Sequence, residues 1–413
     1  MTLLSVGLTG GFAAADGAER YARLSVVVDG RALGVEPVRC SKMPFNRRWP
    51  GHQRPKDQTE ICGLARFTLE AESATVDLTV NEPFTNVVVR PLSAGVKPTV
   101  DKKGVISFTL PKPGHYVLEI DGYHRPLEIF AQPKCDFVAE RREANVVFGP
   151  GVHEPVVVKL RSHDRVYIDR DAVVHGSFQA DGVEDVKVSG YGIISGSRNR
   201  RVENNCYRDG MNGAVRITDS KNIVFDGPIV VDSACWMVSA FNSSDLEFSH
   251  LKVTGAWRYN TDGIDICNSQ RVKIHDCFIH SFDDSIVLKG LWPLPDAKSP
   301  VEDIRVERCV CWCGWGRTLE IGLETWAPHY RNIAFVDCDL IHNNMGALSV
   351  HLGGPAPVED VLYRNIRIEY DASDSPSVIQ NGRDAKYTGK APWSGCYIIV
   401  QNDRMFKPGS LYA

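Results

Sequence analysis

The sequence has no run near the ~20 apolar residues that a membrane-spanning helix needs. Apolar residues at helical spacing are almost missing, which argues against a helical bundle or a helical repeat. No charge sign dominates: 47 Lys and Arg stand against 51 Asp and Glu, for a net charge of −4. A basic field that would draw nucleic acid or an anionic membrane is therefore excluded. There is no collagen-like period and no low-complexity tract, and 43% hydrophobic content excludes a disordered chain. Twelve cysteines in 413 residues are too few for a disulfide scaffold. Cys267, Cys277, Cys309, Cys311, Cys313 and Cys338 sit inside apolar runs. The spacing Cys309-x-Cys311-x-Cys313 does not match paired metal ligands, so no metal is expected there. Free buried thiols point to a reducing, cytoplasmic compartment, with a secreted or periplasmic one as the alternative if a leader has been trimmed away. The first 20 residues are mildly apolar but have no basic residue ahead of the apolar stretch. They are read as part of the first domain rather than as a secretory leader.

What the chain has is turns and short strands: 35 Gly and 23 Pro punctuate it. Its length allows two or three domains. Residues 1–135 carry alternating apolar runs at Leu24–Val28, Ala65–Leu69, Ala74–Val80, Asn86–Val89, Val105–Leu110 and Tyr116–Ile120. Short strands separated by turn residues predict a β-sandwich. The polar stretch from Asn46 to Glu60 reads as a long loop. Its Arg47, Trp49, His52, Gln53 and Arg54 can reach a second domain, or it is ordinary surface.

From residue 136 to 413 the texture changes. A turn residue followed by a β-branched triplet recurs at Arg165, Asp185, Asn222, Asp245, Arg271, Asp303, Asn332 and Asp360, at offsets of 20 to 37 residues. Repeats of this length mean a solenoid or a propeller. The Trp-Asp signature of propeller blades and the Leu ladder of leucine-rich repeats are both absent. The expected fold is all-β: a right-handed parallel β-helix preceded by the smaller sandwich. Its coils should stack ~4.8 Å apart by backbone hydrogen bonds.

One stretch is dense in carboxylates: Asn260-Thr-Asp-Gly-Ile-Asp265, then Asp283-Asp-Ser-Ile-Val-Leu-Lys-Gly290. Asp262 and Asp284 lie 22 residues apart, and each stands two before an isoleucine and four before another apolar residue. That shared context places them in register on adjacent coils, with Asp283 beside them. Carboxylates this close raise one another's proton affinity, so an acid and a base can coexist at one pH. The pattern suits a hydrolase with two carboxylate roles: one protonates the leaving oxygen and the other activates water. A Ca²⁺ site is the competing chemical reading.

These stretches resemble glycoside hydrolase family 28, the polygalacturonase family, and the wider clan that holds the dextranases. Asn260–Asp265 is similar to that family's NTDGID and Asp283–Gly290 to its DDCIAIKSG. Gly190–Gly196 and Val231–Trp236 resemble two upstream segments. The resemblance spans about residues 140–355. It implies Asp283 as general acid, with Asp262 and Asp284 holding the water, and an inverting reaction that needs no cofactor. It matches Lys289 to the family's lysine.

Two departures bear on substrate. The family's GHG becomes Gly314-Trp315-Gly316, and the strand matching its RIK, Gly346–His351, has no Arg or Lys. Without that cationic clamp a neutral sugar is expected rather than plain polygalacturonate. Trp315, Glu320, Glu324 and His351 are candidates for contacting sugar. Trp257, Tyr259, Trp292 and Trp326 can shape subsites. A cytoplasmic chain would trim imported oligosaccharides, with the loop 291–300 closing one end of the groove. The rival readings are a β-helix lyase or fructosyl transferase, and a carbohydrate-binding β-helix without catalysis. A lack of clustered Arg or Lys near Asp262–Asp284 argues against the lyase. Nothing in the sequence decides the oligomeric state.

Overall fold

The computed structural model describes residues 24–42, 59–134, 137–199, 213–291, 299–370 and 398–402. The leader-like start, the loop residues Arg47, Trp49, His52, Gln53 and Arg54, and Trp292 lie outside the described residues.

The first part is a sandwich of two five-stranded sheets. One has the order 31–33, 24–28, 74–80, 105–110, 99–100; the other 35–41, 59–68, 127–132, 114–120, 87–90. All neighbours are antiparallel except 59–68 with 127–132. Strand 74–80 shows the expected alternation, with Ala74, Val76 and Leu78 buried and Thr75 exposed. Strand 127–132 does not alternate, because every one of its residues is buried. Leu127 and Ile129 face the sandwich core, whereas Phe130 faces the second part of the molecule. A strand covered on both faces has no period-two signature, so the sequence pattern passed over it.

The second part is a right-handed parallel β-helix with three faces per coil. One face is a nine-stranded sheet running from 146–148 to 361–364. The second and third faces form one continuous sheet, joined through the long strand 172–181. Every strand pair in the coils is parallel, and equivalent residues stack. Val238, Ile264, Ile286, Leu319 and Leu348 form one interior file. Val253, Ile279, Cys311 and Leu340 form another. The cysteines in apolar runs are therefore packing residues: Cys267, Cys277, Cys309, Cys311, Cys313 and Cys338 are buried free thiols. Cys235 differs in being disulfide-bonded.

The repeat's leading residues have a structural cause. Asp185, Asn222, Asp245, Arg271, Asp303, Asn332 and Asp360 all adopt φ between 51° and 59°. Asn and Asp tolerate this left-handed corner better than other residues with a Cβ. Their side chains also bridge coils: Asn332 Nδ2 donates to Asp303 Oδ1 at 2.6 Å, and Arg271 Nε donates to Asp245 Oδ1 at 2.7 Å.

The two parts share a core. Val38, Leu64, Val117 and Phe130 of the sandwich pack against Ile229, Phe278, Trp312 and Ile341 of the β-helix. Polar groups cross the same seam. Buried Glu119 accepts from Arg90 Nε at 2.8 Å and is paired with His342; Arg90 also pairs with Glu369. Burial opposes ionisation of Glu119, but His342 and Arg90 hold its carboxyl below the usual value. A depressed carboxyl stabilises the fold above its unfolded pKa, and that contribution is lost as pH falls.

Removing Glu119 takes a buried carboxylate away from His342 and leaves Arg90 with Glu369 as its carboxylate. Glu119→Ala is expected to lower unfolding free energy by about 3–5 kcal/mol, measured by denaturant titration at neutral pH. An unchanged midpoint would show that the seam does not depend on this cluster.

Candidate active site

The site stands at one corner of three successive coils, where the second face turns into the third. Asp262 precedes strand 264–267, Asp283 and Asp284 precede 286–290, and Trp315 precedes 317–325. Backbone bonds lock the corners together: Gly263 N donates to Asp284 O, and Ser285 N donates to Arg317 O, each at 2.8 Å. Ile264 pairs with Ile286, which carries the register back to Asp262 and Asp284 as the matching sequence context implied.

Two glycines make this stacking possible. A Cβ on Gly263 would lie 2.3 Å from Ser285 O, and one on Gly316 would lie 2.4 Å from Asp284 N. Both are close-approach positions with no room for a side chain.

Asp262, Asp283 and Asp284 each bring a carboxylate oxygen within 4.8 Å of the others. All three are buried, at 2%, 8% and 8% exposure, so their mutual repulsion is poorly screened. Asp283 Oδ1 accepts from Asp284 N at 3.1 Å, and Asp284 Oδ1 accepts from Arg317 N at 2.9 Å. By donor chemistry the acid trio also suits a hard cation, the competing reading made from the sequence.

Two cations stand inside the cluster, contrary to the expectation that none would cluster there. Lys289 Nζ lies 2.9 Å from Asp262 Oδ2, 2.8 Å from Asp265 Oδ1 and 3.8 Å from Asp284 Oδ2. It also sits 4.0 Å from the Trp236 ring centroid. Arg317 Nε lies 3.4 Å from Glu320 Oε1. Lys289, matched to the family's lysine in the sequence, is five positions past Asp284, whereas Arg317 comes from the next coil and is supplied by register.

These surroundings divide the carboxyls. Burial pushes Asp262 up to about 6; Lys289 pulls it down and Asp284 pushes it further up. Burial and the charges of Asp262 and Asp284 push Asp283 well above the usual carboxyl range, with Lys289 and Arg317 opposing. Asp265 is likewise pushed well up by burial, against Lys289. Lys289 keeps its proton, because Asp262 and Asp265 outweigh the cost of burying it.

The remaining sequence candidates fall in different surroundings. Trp315 stacks on Phe282 at 5.6 Å between centroids and 12° between planes, directly beside Asp283 in the chain. Tyr259 leans on the same Trp315 ring at 6.1 Å. Glu320 is fully buried, where Oε1 accepts from Ser349 Oγ at 3.2 Å and lies 4.0 Å from His351 Nδ1. Glu324 is half-buried, with its main-chain carbonyl accepting from Tyr330 OH at 3.0 Å. Trp257 donates its Nε1 to Asp232 Oδ1 at 2.7 Å and lies under the Arg258 guanidinium. The structure thus gathers Asp262, Asp283, Asp284 and Lys289 into one cluster, sets Trp315 at its border, and ties Trp257 to Asp232. Sequence reasoning passed over Asp265 and Arg317. Asp265 was legible by parity: it alternates with the core residues Ile264 and Ile266, so it faces outward.

Comparison with known proteins adds a family. The model of "Glycosyl hydrolases family 28" matches residues 136–399, more than half of the chain. Among solved structures, Dex49A from Penicillium minioluteum is similar at TM-score 0.58 and 13% identity, covering 84% of this chain and 78% of that one. That coverage exceeds what the β-helix region alone can supply, so the likeness of fold extends into the sandwich. The family 28 exopolygalacturonase of Yersinia enterocolitica matches at TM-score 0.42 and 13% identity, over 74% of this chain and 86% of that one. The endo-xylogalacturonan hydrolase of Aspergillus tubingensis matches at TM-score 0.37 and 17% identity, over 63% and 77%. With a parallel β-helix, stacked acid corners and a family match across both, this chain belongs to glycosyl hydrolase family 28.

Proposed function

We propose that the protein is an inverting glycoside hydrolase that cleaves a linkage between neutral sugars in a polysaccharide or oligosaccharide. The observation that carries this reading is the buried trio of carboxyls, in which Asp262 is pushed up to about 6 and Asp283 well above the usual range. Asp283, pushed well up by burial and by the charges of Asp262 and Asp284, keeps its proton and delivers it to the leaving glycosidic oxygen. Asp262 and Asp284, in register on adjacent coils, hold a water between them and accept its proton as it attacks the anomeric carbon. Lys289 bridges Asp262 and Asp265 and so positions the base rather than touching sugar. Trp315 offers an aromatic edge beside the acid for a sugar face. The neutral-sugar preference rests on charge: Arg317 is engaged by Glu320, and Lys289 by three aspartates, which leaves neither cation to clamp a uronate.

A second reading has one observation behind it. Acid and base in most inverting glycosidases stand ~6.5–9.5 Å apart, and retaining pairs ~5 Å apart. Here one oxygen of each carboxyl lies within 4.8 Å of the others, a closest-atom spacing on the side of the retaining value. In the inverting reading the water is cradled by two carboxylates on adjacent coils rather than placed between acid and base, so the short distance is compatible with it. Product stereochemistry separates the two. Proton NMR of the first-formed anomer from a panel of neutral and acidic glycans is expected to show inversion; retention would assign one aspartate as a nucleophile instead.

Two outcomes test the residue roles. Asp283→Asn is expected to lower kcat by about 10²–10⁴-fold on a substrate with a poor leaving group. Activity equal to wild type would remove Asp283 from the acid role. The pH profile of kcat/KM is expected to be bell-shaped. Its acidic limb lies near 6, where Asp262 loses its proton and becomes a base. Its alkaline limb comes where Asp283 ionises. Activity that already declines as pH rises through 4 to 6 would contradict the assignment of Asp262 as the deprotonated partner.

A further inference from the structure

A second side-chain cluster lies away from the acid site, in the seam between sandwich and β-helix. Cys40 stands on strand 35–41, Cys62 on strand 59–68, and His280 on strand 278–281 of the β-helix. The two thiol sulfurs and one imidazole nitrogen lie within 4.8 Å of one another. Neither cysteine forms a disulfide. Both thiols are 1% exposed and His280 is 6% exposed.

From this geometry we infer that Cys40, Cys62 and His280 form a structural zinc site that fastens the sandwich to the β-helix. The donor chemistry fits: thiolate and imidazole are the ligands that tetrahedral Zn²⁺ takes, at ~2.3 Å and ~2.0 Å. Soft sulfur donors select against Mg²⁺ and Ca²⁺. A contraction of the trio from spacings of up to 4.8 Å brings all three donors onto one ion.

The histidine is held as a metal-bound histidine is usually held. His280 Nδ1 lies 2.7 Å from Glu128 Oε1, which leaves Nε2 as the ligating nitrogen. Thr254 Oγ1 donates to the same Glu128 oxygen at 2.9 Å. Trp312 stacks on the imidazole at 4.2 Å and 15°, fixing its plane. A carboxylate behind a ligating histidine sets its tautomer and orientation and raises its basicity. Cys40 and Cys62 are brought near each other by antiparallel pairing, in which Val38 opposes Cys62 and Cys40 opposes Glu60.

The site is closed, so it does not offer a place for substrate. Loading would accompany docking of the two parts: Zn²⁺ forms two bonds to sulfur and one to nitrogen, and the two thiol protons leave to solvent. The ligands are 22 and 218 residues apart in sequence, which is why no spacing motif marks them.

The test uses the full chain, purified without chelators. Elemental analysis is expected to find about one zinc per chain. Cys62→Ser is expected to reduce zinc to under a tenth of that value, and Glu128→Gln to weaken zinc binding by about 10–100-fold. Asp283→Asn is expected to keep its zinc. Refolding the unmutated chain with Co²⁺ is expected to give the thiolate-to-cobalt absorption of a sulfur-bound ion, a readout that stands even where a variant does not fold. Wild-type protein that carries no zinc and shows no such absorption overturns the proposal. So does thiol titration that reveals a Cys40–Cys62 disulfide. Zinc lost from Asp283→Asn but kept by Cys62→Ser would place the ion in the acid cluster and equally overturn it.

Discussion

The register between neighbouring coils controls everything at the acid site. One coil carries Asp262, the next Asp283 and Asp284, and the next Trp315 and Arg317. Hydrogen bonds from Gly263 to Asp284 and from Ser285 to Arg317 hold these corners together. A slip of one residue would part Asp262 from Asp284 and bring Thr261 or Gly263 to the place of Asp262. The left-handed corners at Asp245, Arg271 and Asp303 keep that slip from happening, because each fixes where its coil turns. Gly263 and Gly316 then allow the corners to approach more closely than a Cβ would permit.

That closeness creates the chemistry. Carboxyls brought together out of water cannot all ionise, so their proton affinities separate. Lys289 pairs with Asp262 and Asp265 and opposes the upward push of burial on both, and its charge opposes the rise of Asp283 as well. A similar logic runs along the seam with the sandwich, where Glu119 is paired with Arg90 and His342 and Glu128 with His280. The sandwich is thus joined to the β-helix by an apolar core threaded with paired charges, and its strand 127–132 belongs to both.

Much of this was legible in the residues. The repeated Asp or Asn before a β-branched triplet marked the coils, since those residues are the ones that tolerate the corner's backbone. The shared context of Asp262 and Asp284 marked their register. The family 28 resemblance covers the same stretches, and the match over residues 136–399 agrees with it. Less legible were groups whose meaning depends on a partner distant in sequence. Arg317 reads as one more strand residue until the next coil places it against Asp284. Strand 127–132 has no alternation to detect, because two cores cover it.

The sequence alone determined the repeat, the handed corners and the pairing of the acids, because each follows from local backbone preference and a near-constant coil length. Tertiary structure decided the electrostatics: which carboxyl Lys289 reaches, how deeply Asp283 and Glu320 are buried, and that Cys40 and Cys62 meet His280. Charge interactions depend on distance through space and on exclusion of water. Neither is written in the order of residues until the coils and the sandwich have closed upon one another.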